Sequence, residues 1–272
     1  MMKLIHCNPN PNSHAVLNGY LHDKDSVMSQ NRGPRPTVLV CPGGGYAYCS
    51  DREAEPIALS FYEKGYQAFV LYYSVKEEAG DMRPLMDVSY SMILLRDKAE
   101  EWQIDPNHIA VAGFSAGGHL AASLGILWDH EALKAKMDTK NGKNRPNAMI
   151  LGYPVITAGP LADQESLYWV SGQHDMGTPE NEFWALDRHV DEKTAPAFVW
   201  HTVEDDCVAV ENTLLLVSAL QAHHVPFACH IFPRGGHGMS LCNQEVFTPN
   251  KAAAAWVPLC HEWLAEEFSF TY

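Results

Sequence analysis

Gly113-Phe114-Ser115-Ala116-Gly117-Gly118 decides how this chain is read. The stretch follows a short apolar run, Ile109-Ala110-Val111-Ala112, and precedes Leu120-Ala121-Ala122-Ser123-Leu124. The first run has the character of a strand buried on both faces, and the second consists of good helix formers. A G-x-S-x-G sequence at such a strand-to-helix turn holds its serine in a strained conformation, and the flanking glycines remove side chains that would strike neighbouring backbone. Ser115 is therefore expected at an exposed tip. The same small residues also suit a helix packing closely on a sheet, so the rest of the chain must discriminate.

Downstream, Val199-Trp200-His201-Thr202 reads as a buried strand followed by the acidic loop Val203-Glu204-Asp205-Asp206-Cys207-Val208. Farther on, Phe227-Ala228-Cys229-His230-Ile231-Phe232 alternates like a last strand, and Pro233-Arg234-Gly235-Gly236-His237-Gly238 sets a histidine in a glycine-rich loop. A serine hydroxyl is a weak nucleophile at neutral pH and needs an imidazole to take its proton. The imidazole in turn needs a carboxylate to fix its tautomer and stabilise its cation. The order serine, acid, histidine supplies all three at one end of a parallel sheet, with the acid open among Glu204, Asp205 and Asp206.

Upstream, the apolar run Thr37-Val38-Leu39-Val40 leads into Cys41-Pro42-Gly43-Gly44-Gly45-Tyr46. Three consecutive glycines are costly in conformational entropy and point to backbone amides aimed where a side chain would obstruct. The expected target is an oxyanion, met by the amides of Gly44 and Gly45 together with that of Ala116, the residue after the serine. A phosphate cradle is the rival reading. It lacks both the Gly-Lys-Ser/Thr ending of a P-loop and the spacing of a dinucleotide fold. No cofactor is expected.

With these residues in view the chain resembles the α/β-hydrolase superfamily, and within it small esterases related to acetylxylan and other sugar-ester esterases. The resemblance covers most of the chain. It rests on Pro42-Gly43-Gly44-Gly45-Tyr46, on Ile104 to Val111 leading into Gly113 to Ala121, on Trp200-His201-Thr202 with Asp205, Val208 and Glu211-Asn212, and on Phe232 to Gly238. It implies Ser115 as nucleophile, Asp205 as acid, His237 as base, and the Gly44, Gly45 and Ala116 amides as oxyanion hole. Asp205, four residues after His201 and three before Val208, has the spacing that the resemblance favours over Asp206. Two departures stand out: Pro42 precedes the glycines where many members carry histidine, and Ala209 occupies a place where the acid loop often has proline.

The remaining organisation fits a mostly parallel sheet with helices on both faces. A strand is expected within Ala15 to Asp23, a turn-rich connection over Gln30 to Pro36, a helix over Asp51 to Lys64 and a strand over Tyr66 to Tyr72. A long helix over Pro84 to Trp102, a strand over Asn147 to Tyr153 and a closing helix over Asn250 to Phe268 complete the pattern. The 272 residues are read as a single domain, with a small cap inserted at about 155–194. Trp169 and Trp184 in that insertion are read as packing anchors in preference to sugar-stacking platforms.

The formal charge of −14, from 19 basic and 33 acidic residues, argues against nucleic acid or an anionic membrane as partner. A small-molecule ester is the expected partner, and homo-oligomerisation is left open. The seven cysteines show no C-x-x-C spacing and are read as reduced, with Cys207 the one facing solvent. The fourteen histidines include no convincing ligand spacing, so no metal is expected. His119 and His201 are read as structural. The N-terminal residues show no secretory segment, and the expectation is a cytoplasmic protein. Two other readings are kept: an amide or formamide hydrolase of the arylformamidase type, because the same three groups attack amides, and a non-catalytic binding protein on the same fold. Tyr46, Tyr48 and the helix near Asp51 are expected to crowd the acyl side of Ser115 and favour short acyl groups.

Overall fold

The computed structural model describes residues 2–29, 32–175 and 177–271. Among these residues, eight strands form one sheet in the order β1-β2-β4-β3-β5-β6-β7-β8. They are β1 (Met2–Cys7), β2 (Val16–His22), β3 (Arg35–Cys41), β4 (Gln67–Tyr72), β5 (Ile104–Phe114), β6 (Ala148–Gly152), β7 (Ala197–Thr202) and β8 (Phe227–Phe232). From β4 to β8 every pairing is parallel, while β1 and β2 add antiparallel to that edge. The helices are α1 (Glu55–Tyr62), α2 (Arg83–Asp97), α3 (Ala99–Trp102), α4 (Ala116–Leu127), α5 (Glu131–Lys134), α6 (Gln164–Ser171), α7 (Pro179–Phe183), α8 (Glu211–Ala222) and α9 (Trp256–Glu267).

The continuous apolar runs become central strands because both of their faces are covered. Leu39, Val111, Leu151 and Val199 join one core, with residues of α2, α4 and α8. Val38, Val40, Ala110, Ala112 and Ile150 join the other, with Ile57, Phe61, Trp256 and Leu264 of α1 and α9. Helix α4 is buried along its whole length, which its sequence permits because Ala, Gly and Leu leave little to solvate.

Several boundaries differ from expectation, each for a local reason. Strand β1 was not anticipated: it is a mostly exposed edge strand without a clear apolar alternation. Arg35 and Pro36 belong to β3 and not to the connection before it, and Gln30 and Asn31 of that connection lie outside the described residues. The helix expected over Asp51 to Lys64 is a 3-10 turn at Asp51–Glu53 followed by α1, because Glu53 turns inward. The long helix after Pro84 breaks at Lys98 into α2 and α3. The closing helix begins only at Trp256 after a 3-10 turn, which sets Pro258 in a first turn, where a missing N–H costs no helical hydrogen bond.

Candidate active site

The C-terminal ends of β3, β5, β6, β7 and β8 lie along one edge of the sheet, and every residue of interest follows one of them. Ser115 comes directly after β5, in a positive-φ conformation with φ 56° and ψ −123°, a costly backbone for a non-glycine residue. Its amide donates to the Gly152 carbonyl at the end of β6, and its carbonyl accepts from Val155 and His119. These bonds hold the strained turn on both sides. A Cβ on Gly117 would stand 2.1 Å from the Cys41 carbonyl oxygen, and one on Gly113 would stand 2.0 Å from that of Gly117. The two glycines thus permit the close approach of β3, β5 and α4.

Ser115 is only 8% exposed. The tip is therefore not open to solvent as expected: the loops after β3 and β8 and the segment before α6 wall it in. What remains is a cavity of about 180 Å³, into which Ser115, His237, Gly44, Gly45, Glu53 and Cys207 all face.

Ser115 Oγ lies 2.7 Å from His237 Nε2, and His237 Nδ1 lies 2.7 Å from Asp205 Oδ2. The carboxylate requires a proton on Nδ1, which leaves Nε2 as the acceptor for the serine hydroxyl. Of the three candidate acids, Asp205 is the one brought to the histidine. Glu204 pairs with Arg234 and accepts from the Gly235 amide, and Asp206 is exposed. Asp205 Oδ1 accepts from the amides of Cys207 and Val208 at 3.0 and 2.9 Å, and Oδ2 also lies 3.3 Å from His201 Nε2. Burial by itself would raise this carboxyl. Donation from His201 and His237, the charge of His237 and the Val208 amide overturn that and hold it well below the ordinary carboxylate range.

The loop after β3 supplies the glycines. Gly44 has φ 120° and Gly45 φ 63°, and the amides of both donate to no protein acceptor among the described residues. Both glycines face the same cavity as Ser115. Free amides in the cavity that holds a serine hydroxyl can stabilise charge developing on a carbonyl oxygen attacked there. Ala116 opens α4 directly after the serine, where the first amides of a helix have no helical partner.

His119 and His201 do not join the serine. His119 is fully buried, with Nδ1 2.8 Å from the Tyr46 hydroxyl and Nε2 3.1 Å from the Trp184 carbonyl. The carbonyl accepts only, so Nε2 carries the proton and Tyr46 donates to Nδ1. Tyr46 is thus turned into the core, and of the two tyrosines expected on the acyl side Tyr48 alone lines the cavity. His201 bonds Thr213 and the Val208 carbonyl. Trp184 is buried against His119, and Trp169 packs partly buried against the same core. The Cys207 thiol is pushed up to about 11, first by burial and then by the charges of Asp163, Asp205, Asp206 and Glu165. It stays protonated beside the serine and offers no thiolate.

Sequence reasoning missed Glu53, Tyr153 and the cavity's charged rim of Arg52, Asp163 and Glu165. Asp163 is legible as the cap of α6, since its side chain accepts from the Ser166 amide. Nothing local marks Glu53 as buried.

Fold and site together define an α/β-hydrolase. The chain belongs to the BD-FAE family, whose model matches residues 26–220. It is 35% identical over 235 residues to endo-1,4-beta-xylanase B of Butyrivibrio fibrisolvens, covering 85% of this chain and 36% of that protein. It is 29% identical over 223 residues to an acetylxylan esterase of Xylanibacter ruminicola, covering 79% of this chain and 43% of that one. The chain thus spans less than half the length of these two relatives. Among solved structures, the acetyl ester-xyloside bifunctional hydrolase of Caldicellulosiruptor lactoaceticus aligns with a TM-score of 0.82 and 35% identity, covering 97% of this chain and 91% of that one. No helix among the described residues is long and apolar enough to cross a membrane.

Proposed function

We propose that this protein is a carboxylic ester hydrolase that works through a serine nucleophile and a covalent acyl-enzyme. The observation that carries the reading is the unbroken line from Ser115 through His237 to Asp205, with 2.7 Å at each step, ending in a cavity that also receives two free glycine amides. Ser115 Oγ attacks the ester carbonyl as His237 Nε2 takes its proton. Asp205 holds the ring and stabilises the imidazolium, and the amides of Gly44, Gly45 and Ala116 meet the oxyanion. His237 then returns the proton to the departing alcohol. A water, deprotonated by the same nitrogen, attacks the acyl-enzyme and frees the acid and Ser115.

The substrate class we favour is a short acyl ester on a polar alcohol, with acetylated sugars foremost. A relative named an acetylxylan esterase and a structural neighbour named an acetyl ester-xyloside bifunctional hydrolase support this, as does a cavity rim of Arg52, Asp163, Glu165 and Tyr48, rich in partners for hydroxyl groups. The xylanase name belongs to a protein of which this chain spans 36%, and it is not carried over. The connection 155–194, with α6 and α7, serves in this reading as a small cap whose Asp163 and Glu165 reach the cavity.

The test is a release assay on p-nitrophenyl acetate, longer acyl esters, acetylated xylo-oligosaccharides and formyl anilides, for the wild type and Ser115→Ala. Turnover of the acetyl esters that disappears in Ser115→Ala, with an unchanged circular dichroism spectrum, is the expected outcome. Near wild-type turnover in that variant would sink the serine mechanism. A preference for formyl anilides would move the assignment to a formamide hydrolase, and no turnover of any member would favour a binding protein.

A further inference from the structure

The site holds a second buried carboxylate that the reaction just described does not use. Glu53 is 2% exposed. Its Oε2 accepts from the Gly43 amide at 3.0 Å, and its Oε1 accepts from the Tyr153 hydroxyl at 2.6 Å. The Tyr153 oxygen itself accepts from the Ser240 amide at 2.8 Å, so its own proton is free to point at Glu53. Both oxygens of Glu53 therefore receive donors, as suits the ionised form.

Three loops meet on these two side chains. Gly43 immediately precedes the glycines with free amides, Tyr153 follows β6, and Ser240 lies three residues beyond His237. The Tyr153 ring stands edge-on to the His237 imidazole, with centroids 5.0 Å apart. The other charged and titratable groups around this cluster have different partners or positions. Asp205 occupies Nδ1 of His237 and His201 stands behind Asp205. Arg52 neighbours Glu53 on the same turn, Cys242 lies near Tyr153, and Asp163, Glu165 and Cys207 face the cavity from the side of α6 and the acid loop. No lysine or arginine forms an ion pair with Glu53 among the described residues.

An unpaired buried carboxylate is expensive to keep, and a neutral amide could tie the same loops together. Arg52, its neighbour in sequence, offsets part of that charge, and a further counterpart arises when His237 becomes a cation. We infer that Glu53 is a positioning residue that clamps the glycine loop to the histidine loop and, as a carboxylate, stabilises the imidazolium formed while Ser115 is acylated. This rests on the serine reading above. No proton passes to Glu53: the serine proton moves to His237 Nε2 as the new C–O bond forms, and the cation then has Asp205 on Nδ1 and, against its ring, the tyrosine that is bonded to the Glu53 carboxylate.

Glu53→Gln keeps the size and an acceptor for Gly43 while removing the charge. The expected result is a kcat lowered about tenfold or more, with KM changed far less, and an acid limb of kcat/KM displaced by about one pH unit to lower pH. The sign follows because a cation that loses a neighbouring negative charge gives up its proton more readily. A merely structural role would lower stability and leave the limb in place, so a folded Glu53→Gln enzyme whose acid limb coincides with that of the wild type overturns the inference. If Glu53→Gln does not fold, Tyr153→Phe carries the test. It keeps the ring on His237 and cuts the link to Ser240, and the expectation is a kcat lowered about tenfold; wild-type turnover there overturns the clamp. Failure of the serine reading would show separately, as activity retained in Ser115→Ala.

Discussion

Asp205 accepts from two backbone amides of its own loop and lies within reach of two imidazoles, so it is held ionised and oriented before any substrate arrives. Exchange for asparagine would place an amide where His237 Nδ1–H needs an acceptor, and the ring would turn to the tautomer that cannot take the serine proton. Asp205→Asn should therefore lower kcat by roughly 10³–10⁴, while Asp206→Asn, at an exposed position, should stay within about threefold of wild type. Steady-state kinetics of the two variants check this, and the reverse ranking would transfer the role to Asp206. Ser115 and His237 were legible in the sequence because each sits in a short glycine-bearing motif beside an apolar run. Asp205 was legible only with the help of the family spacing, since three acids stand together. Glu53 was not legible, because its role arises from Gly43 and Tyr153, 10 and 100 residues away along the chain, and no local pattern records such a meeting.

At the level of elements, the turn between β5 and α4 is held by contact between backbones. Gly117→Ala would drive a methyl group against the Cys41 and Pro42 carbonyl oxygens, neither of which can swing aside as a side chain could. It should destabilise the fold by about 1–3 kcal/mol or more and take most of the activity with it. Denaturant midpoints and turnover, read together, test this, and a Gly117→Ala protein with unchanged midpoint and kcat would contradict the packing argument. The central strands were legible as apolar runs because burial on both faces removes the need for polar positions. Helix breaks at Ala54 and Lys98 were not, since they answer to tertiary demands, among them the inward turn of Glu53. The loops between elements also set substrate size. An acyl chain beyond a few carbons would outgrow a cavity of about 180 Å³ and would not collect the roughly 0.8 kcal/mol that each buried CH₂ otherwise contributes. Efficiency on acyl esters of increasing length should peak at C2 to C4 and fall by C8 and C12; a maximum at C8 or beyond would reject the short-acyl reading in favour of a lipase-like one.

For the molecule as a whole, acid stability is governed first by buried histidines and only later by Asp205. Burial lowers His119 to about 4, and lowers His261 to about 4 with a smaller contribution from the charge of Lys64. In the unfolded chain both should titrate near 6.5. Between those values the unfolded state binds more protons than the folded one, so stability rises with pH across that window. The contribution is complete above about pH 6.5 and is lost as pH falls toward 4. Asp205 has the carboxylate pattern: its contribution is present above its unfolded value of about 3.9 and is lost only at more acidic pH. Glu53, raised by burial against the pull of Tyr153, His237, Gly43 and Arg52, offsets part of the histidine slope, because a raised carboxyl favours the folded state as pH falls. His261 isolates the histidine effect. It packs edge-on against Phe61, and its Nε2 has no hydrogen-bond partner among the described residues, so phenylalanine can fill the same space without titrating. For the wild type, the denaturant midpoint should fall between pH 7 and pH 5. His261→Phe should flatten that fall, recovering up to about 2 kcal/mol at pH 5. A variant whose stability declines with pH as steeply as the wild type would show that His261 is not held neutral by its burial, and the acid sensitivity would then belong to the other histidines that burial lowers, His119 and His22 foremost.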